Sequence, residues 1–108
     1  MTAHELLRRM PEVLDRAAAE GVDATIQYDV SSPVHHVLQE GELTIHEGPA
    51  QAPDLVVRMA DDDLVALFRG ELNPMTAFMT GRIVVKGDMT LAQRLVGLVD
   101  RKRLAELT

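Results

Sequence analysis

Apolar and polar positions alternate most cleanly over residues 24–30, ATIQYDV. Ile26, Tyr28 and Val30 fall on one face and Thr25, Gln27 and Asp29 on the other, which predicts a strand with one face on a core. Ser31-Ser32-Pro33 predicts a turn into a second strand over residues 34–39, less evenly patterned. Glu40-Gly41 predicts a tight hairpin into a third strand over residues 43–47. After a loop, GPAQAP, residues 55–59 give a fourth, with Leu55, Val57 and Met59 inward and Arg58 outward. Residues 82–86 alternate as a fifth.

Helical spacing takes over elsewhere. Thr2 and Glu5 fit a capping box, and Leu6, Met10, Val13, Leu14, Ala17 and Ala18 follow at helical intervals. Pro11 predicts a kink or a fresh start within that run, and Gly21 its stop. Asp61-Asp62-Asp63 reads as the cap and acidic first turn of a helix with Leu64, Leu67 and Phe68 on its apolar face, ended by Gly70. Asn73-Pro74 starts a short helix through Ala77, Phe78 and Met79, with Gly81 closing it. Gly87-Asp88 turns into a last helix from Met89, with Leu91, Leu95, Leu98 and Val99 on one stripe. Arg101, Lys102 and Arg103 are expected at its C-terminus, where cations complement the dipole. The pattern predicts an α+β fold of one domain over residues 1–108. A five-stranded, mostly antiparallel sheet is solvated on one face and covered by helices on the other.

Composition narrows the chemistry. A 108-residue chain with 46% hydrophobic residues can build a real core, and only Tyr28, Phe68 and Phe78 are aromatic. That core is made of Leu, Val, Ile and Met. Without cysteine, thiol catalysis, disulfides and cysteine metal sites are excluded. A net charge of −6 argues against nucleic acid and against broad attraction to anionic membranes. No apolar run reaches membrane-span length, MTAHELLRRM lacks a signal-peptide core, and Glu106-Leu107-Thr108 is no peroxisomal address. A cytoplasmic location is expected.

Candidate catalytic groups are few. His35 and His36 are adjacent and point to opposite faces of a strand, so they cannot chelate one metal together. His46 can face one of them across the hairpin, but no third ligand is evident. Ser31 and Ser32 lie in a turn without a nucleophile-elbow context. Neither a dinucleotide fingerprint nor a Walker sequence is present. The reading is therefore not an enzyme, with no cofactor and no metal. Met59, Met75, Met79 and Met89 gather near the apolar faces around residues 70–89. They serve either as plain core or as the wall of a cavity that adapts to a flexible apolar ligand.

The order of elements, centred on ADDDLVALFRGELNPMTAFMTGRIVVKGDMTLAQRL (residues 60–95), resembles the sterol carrier protein type 2 domain family. The specific pieces are the acidic helix start and Gly70, Leu72-Asn73-Pro74, Ala77-Phe78-Met79-Thr80-Gly81, residues 83–86, and Gly87-Asp88. MPEVLDRAAAEGVDATIQYDV is compatible with the family's opening helix and first strand. The resemblance implies an apolar tunnel between sheet and helices. It also implies non-catalytic binding of fatty acid, fatty acyl-CoA, isoprenoid or sterol-like lipid, with transfer between membranes in some members. The low aromatic content offers no rigid platform for a sterol. On this reading Phe68, Met75, Phe78, Met79, Ile83, Val85, Leu91 and Leu95 form wall or lid. Ile26, Tyr28, Leu55, Val57 and Met59 contribute from the sheet, and the Tyr28 hydroxyl is a polar contact. The expected partner is an apolar lipid, with transient membrane contact and a homodimer both compatible. The alternative is an interaction module that uses the same groove for a protein partner, such as a lipid or quinone biosynthetic enzyme.

Overall fold

The computed structural model describes residues 2–107. Helix α1 (Ala3–Arg9) is capped by Thr2, whose hydroxyl oxygen accepts from the Glu5 N–H at 3.1 Å. Pro11 then converts the chain into a short 3-10 turn, Met10–Val13. Helix α2 (Arg16–Ala19) is capped by Asp15 and stopped by Gly21 at φ +77°. Strands β1 (Ala24–Asp29), β2 (Val34–Gln39), β3 (Glu42–Glu47) and β4 (Leu55–Arg58) follow. Next come α3 (Asp61–Phe68), α4 (Pro74–Met79), β5 (Val84–Gly87), α5 (Met89–Leu95), a 3-10 turn Val96–Leu98, and α6 (Arg101–Leu107).

The five strands form one sheet in the order β3-β2-β1-β4-β5. Only β1 and β4 run parallel; the other neighbours are antiparallel. The β2–β3 turn has both central residues left-handed, Glu40 at φ +53° and Gly41 at φ +77°, the sense that matches strand twist. Register puts Ile26 opposite His36 and Leu55, and Tyr28 opposite Val34 and Val57. All six are buried, and with Leu38 they form the inner face of the sheet. Leu64, Leu67 and Phe68 of α3 and Leu6 and Leu7 of α1 are buried in the same core. Thr25, Gln27, His35, Thr44 and His46 occupy the outer face, as the alternation requires.

Two local expectations are overturned. The acidic run does not cap α3: the N-cap is Ala60, without a side-chain hydrogen bond. Asp61 is drawn away by Ser31, whose backbone N–H and hydroxyl both donate to its carboxylate, and these bonds hold its pKa below the ordinary value. Asp63 instead pairs with Arg82. The acidic first turn still complements the helix dipole.

The expected last helix is also two. Leu91, Leu95, Leu98 and Val99 are all buried, but the helix breaks after Leu95 and the chain touches the N-terminal segment. There the Asp15 N–H donates to the Leu98 carbonyl at 2.7 Å and the Asp100 N–H to the Val13 carbonyl at 2.6 Å. Asp100 then caps α6 by accepting from the Lys102 and Arg103 N–H groups. Residues 101–103 therefore lie in the first turn of α6, not at a helix C-terminus. The dipole disfavours cations there, and the Asp100 carboxylate, 3.8 Å from Arg103, offsets them.

Candidate functional site

The histidines separate as their alternation demands. His35 and His46 pair across the β2–β3 hairpin with ring centroids 5.0 Å apart and planes 16° from parallel. His35 Nδ1 donates to the Gly48 carbonyl at 2.9 Å. His36 points inward, 1% exposed, and its Nε2 donates to the Leu7 carbonyl at 3.1 Å. Burial pushes its pKa down to about 4, opposed in part by that hydrogen bond. Among the described residues no group of three or more His, Asp or Glu side chains gathers at metal-ligand spacing.

The larger feature lies between β1, β4 and β5 on one side and α3, α4 and α5 on the other. Its geometry starts from α4. Asn73 Oδ1 accepts from the Met75 and Thr76 N–H groups at 2.9 and 3.2 Å, and Pro74 occupies the first turn, where its missing N–H is harmless. Gly81, at φ +80°, reverses the chain so that the Arg82 and Ile83 N–H groups both reach the Ala77 carbonyl. The Arg82–Asp63 ion pair ties this corner to α3. Ala77 is the one buried side chain of α4. Met75, Phe78 and Met79 are 67%, 46% and 78% exposed. A short helix held through a single alanine is a wall with little apolar burial of its own.

Beneath it is a cleft of about 470 Å³. Tyr28, Val57, Met59 and Val85 line it from the sheet side, Leu67 and Phe68 from α3, and Pro74, Met75 and Phe78 from α4. Ile83 and the Met89, Ala92, Gln93 and Leu95 side chains of α5 complete it. Among the described residues the lining carries no acidic, basic or histidine side chain, and Tyr28 and Gln93 are its only members with a polar side-chain group. A separate void of about 20 Å³, room for about one water, lies deeper beside Met10, Ile26 and His36. Tyr28, Phe68 and Leu95 border both spaces and so form the partition between them.

Of the residues singled out from the sequence, Tyr28, Val57, Met59, Phe68, Met75, Phe78, Ile83, Val85 and Leu95 come together in this cleft. Four do not. Ile26 and Leu55 face the same side of the sheet but pair with each other two residues along from Tyr28 and Val57; both are buried, Ile26 beside the small void. Leu91 is buried on the core side of α5, and Met79, one residue after Phe78, is turned outward to solvent. Leu67, Pro74, Ala92 and Gln93 belong to the lining without having been singled out for it, and Met89, named with the methionine group as core or cavity wall, joins them. The α5 members were accessible from spacing, because Met89, Ala92 and Gln93 are i, i+3, i+4 and share one helical face.

The model of the SCP-2 sterol transfer family matches residues 3–100. The chain is similar to stomatin-like protein 1 of Mus musculus, 36% identical over 100 residues, which cover 86% of this chain and 25% of that protein. It thus spans about a quarter of that relative's length. Among solved structures, sterol carrier protein 2 like 2 from Aedes aegypti superposes with a TM-score of 0.73 at 20% identity, over 90% of this chain and 93% of the other. The inverting sec-alkylsulfatase Pisa1 from a Pseudomonas species reaches a TM-score of 0.84 at 23% identity, over 93% of this chain and 16% of the enzyme. At these identities the two structures speak for the fold.

Proposed function

The chain belongs to the SCP-2 sterol transfer family, and from that membership we propose that it holds an apolar lipid in the cleft beneath α4 without acting on it chemically. The observation that carries the reading is that the described lining of a cleft of about 470 Å³ is uncharged. That volume lies within the roughly 300–1,000 Å³ span of small-molecule sites. Each methylene moved there from water contributes roughly 0.8 kcal/mol. A wall of Leu, Met, Val and Phe supplies that energy with little shape selectivity. An acyl chain, an isoprenoid or a sterol-like body all answer this description, and a fatty acid enters tail first with its carboxylate left at the mouth.

Entry follows from the same geometry. With Ala77 as its only buried side chain, α4 opens at small apolar cost, while its exposed Met75, Phe78 and Met79 suit brief contact with a lipid surface. Transfer between membranes would follow from that contact. No helix among the described residues is long and apolar enough to cross a membrane.

Titration with a fluorescent fatty acid tests the reading. The wild-type protein should bind it saturably. Ala92→Trp, which fills the cleft from α5, should weaken binding about tenfold, a loss of about 1.4 kcal/mol. Absence of saturable binding by the wild-type protein would sink the proposal.

A further inference from the structure

Tyr28 sits on β1, the middle strand of the sheet, and is 2% exposed. Its ring is fixed against His36, with centroids 4.8 Å apart and planes 60° apart. His36 spends its Nε2 on the Leu7 carbonyl, not on Tyr28. Among the described residues no hydrogen bond reaches the Tyr28 hydroxyl. Yet among the described residues no fully enclosed polar side-chain atom lacks a partner. The hydroxyl is therefore not fully enclosed, and Tyr28 lines both the cleft and the small void beside it. A buried, unpaired hydroxyl is destabilising, and phenylalanine would fill the same volume without that penalty. Burial also raises the tyrosine pKa, so the group remains a donor through all ordinary pH.

We propose that the Tyr28 hydroxyl is a selectivity group for the ligand, donating a hydrogen bond to a neutral oxygen carried by the lipid, such as a ketone, an ester or an alcohol. The inference rests on the lipid reading above and deepens it by naming the ligand's chemical class and orientation. The acceptor is neutral because, among the described residues, no cation lines the cleft to balance a buried carboxylate or phosphate. The lipid oxygen lies at Tyr28, and its hydrocarbon runs outward past Phe78 and Met75 toward the exposed rim. A charged lipid enters the other way round and leaves the hydroxyl unpaired.

The chain carries one tyrosine and no tryptophan, so near-ultraviolet absorbance reports Tyr28 cleanly. The full chain and Tyr28→Phe are titrated with decan-2-one, decane and decanoate. Binding is followed by calorimetry and, in the wild-type protein, by the tyrosine difference spectrum. The expected result is that the variant weakens decan-2-one binding about three- to tenfold, the worth of one net hydrogen bond. Decane and decanoate affinities should change less than that, and only decan-2-one should red-shift the tyrosine band. Equal ketone affinity in both proteins, without a red shift, overturns the proposal; it is also the result expected if a water in the small void already pairs with the hydroxyl. A red shift with decanoate overturns the claim of a neutral acceptor. Binding of none of the three by the wild-type protein refutes the lipid cleft itself, a different outcome. Should the variant fail to fold, the wild-type difference spectra with the three probes still decide.

Discussion

His36 gives the fold a pH dependence that can be worked out in advance. The imidazole is buried, hydrogen-bonded through Nε2 to Leu7 and packed on the Tyr28 ring. Its pKa is about 4, held down chiefly by burial, against an ordinary value of 6.5. Between those values the unfolded chain binds a proton that the folded chain refuses. His36 therefore leaves stability intact above about pH 6.5 and erodes it as pH falls toward 4; below that both states are charged and the loss stops growing. Linkage puts the loss between pH 7 and pH 5 at about 2 kcal/mol, and the limit at low pH on the order of 3 kcal/mol. Gln at this position can still donate to the Leu7 carbonyl but does not titrate. Urea unfolding followed by circular dichroism, at pH 7 and pH 5, should show the wild-type protein losing about 2 kcal/mol more than His36→Gln. The difference between the two proteins cancels the exposed groups that titrate in both. Parallel pH profiles would refute the placement of a neutral imidazole in the core.

Two further expectations concern the frame of the cleft. Gly87 lies at φ +116°, and a Cβ there would run into the Asp54 carbonyl oxygen, which also accepts the Asp88 N–H at 2.9 Å. Gly87→Ala should destabilise the protein by roughly 2–4 kcal/mol in thermal or urea unfolding; an unchanged midpoint would mean that β5 does not meet β4 in this register. Asn73→Ala removes the cap of α4, and the loss of about 1 kcal/mol should be felt locally. Hydrogen exchange should accelerate at the Met75 and Thr76 amides, which Asn73 holds, more than in β1 or β2. Uniform acceleration throughout the sheet would show instead that α4 opens only with global unfolding.

Most of the elements were legible in the sequence because their signals are local. The ATIQYDV alternation, the Glu40-Gly41 turn, and the Asn73 and Asp88 caps each act within a few residues and each appear in the structure. Alternation does not say which strand lies beside which, and the parallel β1–β4 pair is set by how the whole sheet closes. Asp61 offered cap chemistry, but Ser31, thirty positions earlier, took its carboxylate. The apolar stripe from Leu91 to Val99 continued through a helix break, because a 3-10 turn and a β-bridge buried the same side chains a helix would have buried. The cleft was half legible for a related reason. Spacing assigns Ile26, Leu55 and Leu91 to the apolar side correctly, but which residues lie under open space depends on where α4 and α5 stop covering the sheet.

The lone parallel pairing also orders the steps of assembly. The first three strands are joined by short turns, so β1-β2-β3 can zip together from nearest neighbours. β4 must cross back over that meander before it meets β1, and β5, α4 and α5 depend on β4 being there. Contacts of this kind carry the larger loop-closure entropy and form late. Among the described residues, every part of the cleft lining except Tyr28 comes from the late half of the chain. An occupant would therefore grip the section that completes last and departs first. Its main kinetic effect would be to slow unfolding, with little change in the rate of folding.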